Sequence, residues 1–146
     1  MADRRVYTYS FEDTTLTISH PNFGTYSAYG TGIGSITVSY ANDVTSHTVA
    51  SDLAVVVSKY AVRNGTVTLD ILQSSDFNNW LKKFAAYIEE ADTNQFALAT
   101  ITLTNKSTGD SYYCTGVSHR KKADNSLQST AQNRSWEMMC ANITQK

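Results

Sequence analysis

The chain is poor in proline, with Pro21 alone, and poor in charge, with Asp, Glu, Lys and Arg at 17% of 146 residues against a usual share of ~25%. It lacks the run of ~18 apolar residues that a transmembrane helix needs. It lacks a basic surplus: its net charge is −1. That argues against a dedicated nucleic-acid binder, which needs a cationic footprint to displace phosphate counterions. The first residues, Met1-Ala-Asp-Arg-Arg, carry charge with no apolar stretch behind them, so they do not read as a signal peptide. The expectation is a protein kept in a cytoplasm. The two cysteines, Cys114 and Cys140, are far apart and form no CxxC pair. In a reducing compartment they read as small buried hydrophobes.

Catalytic motifs are missing too. His20, His47 and His119 show no metal-ligand spacing, and each lies in or beside a loop, which predicts surface histidines. Gly30-Thr-Gly32-Ile-Gly34 resembles a nucleotide-binding glycine string, but a strand follows it where that motif needs a helix. It reads as a flexible or sharply turned loop. Cys114 sits inside a strand, where thiols are inert, and no GxSxG elbow occurs for a serine nucleophile. The basic run His119-Arg120-Lys121-Lys122 is either a solvated loop or a contact for nucleic acid or an acidic partner. The Asn-x-Ser/Thr triplets at Asn64, Asn105, Asn133 and Asn142 would matter only in a secreted chain. No metal, cofactor or catalytic residue is implied.

What is present is hydroxyl and aromatic side chain, the latter including 9 Tyr. Such a composition favours strands, and a low Lys and Glu content suits surfaces that pack against protein. A single domain of this length buries roughly 70% of its unfolded surface, enough for a core without disulfides. Strand-like sequence opens at 5–10 and 14–19, where Leu16 and Ile18 alternate with Thr15, Thr17 and Ser19. Residues 21–34 read as loop. Residues 35–40 alternate again, with Ile36, Val38 and Tyr40 on one face and Ser35, Thr37 and Ser39 on the other. Residues 41–52 form a long polar loop or an extended hairpin arm. Residues 53–60 are a near-continuous apolar strand. Asn64-Gly65 signals a turn, and 66–72 places Val67, Leu69 and Ile71 inward and Thr66, Thr68 and Asp70 outward.

One helix is predicted over 75–90. Ser74 or Ser75 can cap it, and Asp76 suits the positive helix end. Phe77, Trp80, Leu81, Phe84 and Ile88 make one apolar stripe, with Asn78, Asn79, Lys82, Lys83 and Glu89 on other faces. Strands follow at 96–104 and 110–118, then a polar loop over 119–133. A last strand, 134–143, has Trp136, Met138, Cys140 and Asn142 on one face. The expected fold is mainly β (α+β): one domain over residues 1–146, an antiparallel β-sandwich or barrel with one flanking helix.

The order of pieces carries a family resemblance. Ile18-Ser-His20-Pro21, Gly34-Ser-Ile-Thr-Val38, the Asn42…Val49-Ala50 loop, Arg63-Asn64-Gly65 and Cys114-Thr-Gly-Val-Ser118 are its most specific segments. Over residues 6–143 the chain resembles the tail-tube proteins of contractile-tailed bacteriophages, which share their design with type VI secretion tube proteins. Two departures stand near the long loop: Ser51-Asp52-Leu53, where a glycine is expected, and Val62, where another is.

The resemblance implies a structural virion protein rather than an enzyme. Six copies would join sheets edge to edge into a ring, and rings would stack into the inner tail tube, assembled in the host cytoplasm. The implied partners are further copies of the chain, the sheath, the baseplate and the tape-measure protein. DNA would pass through without sequence-specific binding, and no membrane is involved. Lumen-facing candidates are Thr66, Thr68, Asp70 and Glu137. Ring-stacking candidates are Asn42, Asp43, Thr45, His47 and Asp52. Sheath-facing candidates on the helix are Lys82, Lys83 and Glu89. Alternatives are a secretion-system tube, a tail-terminator protein, or a carbohydrate or adhesion module suggested by the tyrosines and Trp136. An enzyme built around Cys114 or His119 ranks behind them.

Overall fold

A computed structural model describes residues 6–29 and 33–145. Ten strands and one helix run in the order β1 (Thr14–His20), β2 (Gly24–Ala28), β3 (Ile33–Tyr40), β4 (Thr45–Val49), β5 (Val55–Lys59), β6 (Gly65–Leu72), α1 (Asp76–Glu90), β7 (Ala99–Asn105), β8 (Asp110–His119), β9 (Asn133–Cys140) and β10 (Asn142–Gln145). Every pairing is antiparallel.

Two layers arise because β8 changes sheet. As far as Val117 it pairs with β7 and β10, while Ser118 and His119 pair with β9. The switch falls at Gly116, whose φ of +63° is left-handed and where a Cβ would come 2.6 Å from the Ala141 Cβ. Only glycine fits such a corner. One layer is then β2-β1-β7-β8-β10 and the other β3-β6-β9-β8. The path ends at β2 and β3, so the molecule is an open sandwich and not a closed barrel.

Period-two alternation fills the space between the layers. Leu16, Ile18, Val67, Leu69, Ile71, Ile101, Cys114, Val117, Trp136 and Met138 are buried. The helix covers the core with its predicted stripe. Ser75 caps it, its hydroxyl accepting from the Asn78 N–H at 3.2 Å. Phe77, Leu81, Phe84 and Ala85 are buried, and each large one contributes roughly 2 kcal/mol of transfer free energy. An aromatic cluster seals the helix to the β1–β2 turn. Trp80 stacks on Phe84 at 5.2 Å, Tyr26 on Phe77 at 4.9 Å, and Phe23 meets Trp80 at 5.4 Å.

Several expectations need correction. Residues 6–10 are irregular and lead into a 3-10 turn, Phe11–Asp13. Residues 21–34 are not all loop: β2 lies there, with hydroxyls bonding across to β1 (Ser19 to Thr25 at 2.9 Å, Thr17 to Ser27 at 3.3 Å). Its alternation is hard to read because only Tyr26 and Ala28 point inward. Gly30 and Gly32 lie outside the described residues, and Gly34 begins an irregularity in the β3–β6 register. The last strand breaks at Ala141, so Ile143 is buried and Asn142 exposed, opposite to an unbroken alternation. Asn78 is fully buried rather than on an outer helix face: its amide donates to the Gln73 carbonyl and accepts from the Trp136 indole, each at 3.0 Å.

His20 is also no surface residue. It is 2% exposed. Its Nδ1 accepts from the Asn22 N–H at 3.1 Å, and its Nε2 then donates to the Gln95 carbonyl at 2.9 Å. The ring pins the β1–β2 turn to the segment after the helix. His47 is exposed, and His119 is half-buried. Cys114 and Cys140 are buried free thiols, as expected. The hydrogen bond with Cys114, together with burial, pushes the Cys140 thiol well up.

Candidate assembly surfaces

The most unusual feature is a hairpin that belongs to neither layer. Among the described residues β4 and β5 pair only with each other, Thr45 opposite Lys59 through Val49 opposite Val55. None of its residues is buried. Val49, Val55, Val56 and Val57 are each more than half exposed. The apolar strand read over 53–60 therefore lies outside the core. A two-stranded ribbon of this kind is marginal alone in water, and its valines form an exposed apolar patch.

The sequence also fixes the ends of this arm. At its base the Tyr60 N–H bonds to the Val44 carbonyl at 2.8 Å, and the Asn42 amide donates to the Asn64 side chain. Gly65 permits the close passage behind it, since a Cβ there would meet the Ser39 carbonyl oxygen at 2.2 Å. At its tip the Leu53 N–H bonds to the Ala50 carbonyl at 2.9 Å, and Asp52 accepts from the Ala54 N–H at 3.1 Å. Leu53 has φ +70° and is 82% exposed. Glycine is the usual occupant of such a position, which matches the glycine expected nearby. Of the stacking candidates, Asn42 and Asp52 hold the arm's own turns, while Asp43, Thr45 and His47 are exposed.

The lumen candidates lie together on the outer face of the β3-β6-β9 layer. Cross-strand rows run Ser35–Asp70–Ser135, Thr37–Thr68–Glu137 and Ser39–Thr66–Met139. Asp70 accepts from the Ser35 hydroxyl at 3.0 Å, and Glu137 is paired with Arg120 at 3.0 Å. The other layer has a second polar face that sequence reasoning missed. Its rows are Thr25–Ser19–Thr100, Ser27–Thr17–Thr102–Tyr113 and Thr15–Thr104–Ser111. These rows carry hydroxyls and no charge. The signal was present in the alternate threonines of 14–19 and 99–105.

On the helix, Lys82, Lys83 and Glu89 are exposed as expected. Glu89 forms an ion pair with Lys122 at 3.3 Å. The helix and the loop bearing the basic run therefore meet.

The described residues thus present a detached apolar arm, terminal sheet edges at β2 and β3, and two polar faces around an open sandwich. The sequence profile of the bacteriophage PhiTE tail tube protein family matches residues 6–146, and the chain belongs to that family. No curated protein sequence is detectably similar to it. Among solved structures, the sheath/tube terminator of the PVC extracellular contractile injection system is similar at TM-score 0.60 and 8% identity, covering 100% of this chain and 99% of that one. A chain of the PVC sheath-tube complex in its extended state matches at 0.58 and 9%, covering 96% and 92%. A chain of the 6-fold symmetrised anti-feeding prophage baseplate matches at 0.58 and 12%, covering 100% and 97%. At these identities the likeness is one of fold.

Proposed function

We propose that the chain is the repeating subunit of a phage inner tail tube, closing into hexameric rings that stack into a conduit for genome ejection. The arm carries this reading. Its valines and Leu53 are exposed on a ribbon that pairs with no other strand among the described residues, and a second copy would supply a packing partner. Edge strands β2 and β3 offer unpaired backbone groups, and edge-to-edge pairing around a ring would use both. An arm on one copy docking on a different surface of the next is a heterologous contact, which propagates into rings or tubes. The 6-fold symmetry of the similar baseplate supports the ring number.

In this assembly the arm, with Asp43, Thr45 and His47, reaches the neighbouring ring, and Asn42 and Asp52 hold it in shape. Lys82, Lys83 and Glu89 lie on the sheath side. The role is structural, within a tail assembled in the host cytoplasm beside sheath, baseplate and tape-measure proteins. The wall bearing Thr66, Thr68, Asp70 and Glu137 lines the bore, where carboxylates repel phosphate over the ~8 Å that salt permits. A second reading puts the uncharged hydroxyl face around Thr102 in that place, favoured because it offers DNA no charge to bind. A terminator of the same fold is a further reading, favoured by the PVC terminator's likeness; it would form rings that cap a tube.

The test is excision of the arm. Val44 and Tyr60 are already bonded, so residues 45–59 can be replaced by a Gly-Gly turn. The variant should stay folded and soluble but form no tubes under the electron microscope. Tubes of normal length would refute the arm's role.

A further inference from the structure

The basic run and the helix together build a pocket on the face that the tube reading turns toward the sheath, though its lining stands whether or not tubes form. The start of the 120–132 loop, the exposed face of α1 and β9 enclose a cavity of about 190 Å³ lined by Lys82, Lys122, Ala123, Arg134 and Trp136. Three of these five side chains are cations. The ion pair at the rim is Lys122 with Glu89, and both of its side chains are about half exposed. A pair this wet is worth little and gives way easily. Arg134 Nε is buried and has no hydrogen-bond partner among the described residues. A buried guanidinium N–H without an acceptor is costly, so an incoming anion would be welcome there.

We propose that this pocket binds a carboxylate side chain presented by an acidic segment of a partner protein. Its oxygens would meet Arg134, Lys82 and Lys122, while its methylene stem lies on Ala123 and the Trp136 ring. Arginine favours this because its planar fork matches a carboxylate. The apolar floor suits an aliphatic stem, and one concave site on a chain of net charge −1 is not the spread-out basic stripe that nucleic acid requires. Glu89 acts as a competitor: while it holds Lys122, the pocket is partly neutralised.

The probe is N-acetylated hexaglutamate, titrated while NMR follows the indole and guanidinium N–H signals, with Trp80 as the internal control. Saturable shifts at Trp136 and Arg134 are expected. Lys82→Gln, on the exposed helix face, should weaken binding about tenfold, the effect of one charge-assisted hydrogen bond. Glu89→Gln should tighten it severalfold by freeing Lys122. Shifts spread over all cationic residues and indifferent to both substitutions would overturn the proposal. So would tighter binding of single-stranded oligothymidylate at the same signals, which would make the site one for nucleic acid. Neither readout requires tubes, so failure of the tube reading leaves this test intact.

Discussion

Leu53→Gly separates folding from assembly at one position. Within a single chain, a leucine at φ +70° carries about 1–2 kcal/mol of backbone strain. Glycine relieves it but gives back about 0.4–1 kcal/mol through the freer unfolded chain. The folded subunit should thus change by less than about 1.5 kcal/mol, in the stabilising direction. Assembly should respond oppositely. The side chain is 82% exposed, and burying a leucine against a neighbouring copy is worth about 2 kcal/mol per contact. Losing it raises the critical concentration for tube growth about 30-fold. Urea denaturation of the dispersed subunit reads the first quantity, and sedimentation of tubes across a concentration series reads the second. Unchanged critical concentration with an unchanged or raised urea midpoint would refute the claim that the arm tip packs in the assembly.

Further outcomes follow from other sites. Asn78→Leu strands the Trp136 indole N–H and the Gln73 carbonyl, and should cost about 3 kcal/mol, at 1–3 kcal/mol per unsatisfied group, in a urea titration. Burial pushes His119 down, the nearby Glu89 opposing and Lys122 assisting. The unfolded chain therefore takes up this proton first, and stability present above about pH 6.5 should fall as the pH drops through the lowered folded value. His119→Gln should flatten that slope in pH-dependent melting. Asp70→Arg and Thr102→Arg should both permit tubes, and whichever blocks DNA ejection in an infectivity assay identifies the bore face. If neither does, both wall assignments fail.

The sequence was most legible where one face of an element is buried and the other wet. The alternation at 14–19 and 66–72, the stripe from Phe77 to Ile88 and the cap at Ser75 all appear where periodicity places them. It was least legible where tertiary packing overrides local pattern. β2 presents too few inward side chains to alternate clearly. Asn78 and His20 look like surface residues until Trp136 and the Gln95 carbonyl give them buried partners. The arm marks a different boundary. A run such as Val55-Val-Val57 reads identically whether it is buried in its own chain or exposed for another. Outward-facing polarity marks Thr66, Thr68, Asp70 and Glu137 in the sequence, whereas the second polar face carries no charge to set its threonines apart from those of any half-exposed strand.

The most direct test of the central claim is electron microscopy of the purified, concentrated protein, with end-on views averaged. The account predicts hollow tubes or stacked rings with six subunits around a central channel. Monomers at every concentration, or closed pairs with no channel, would contradict it.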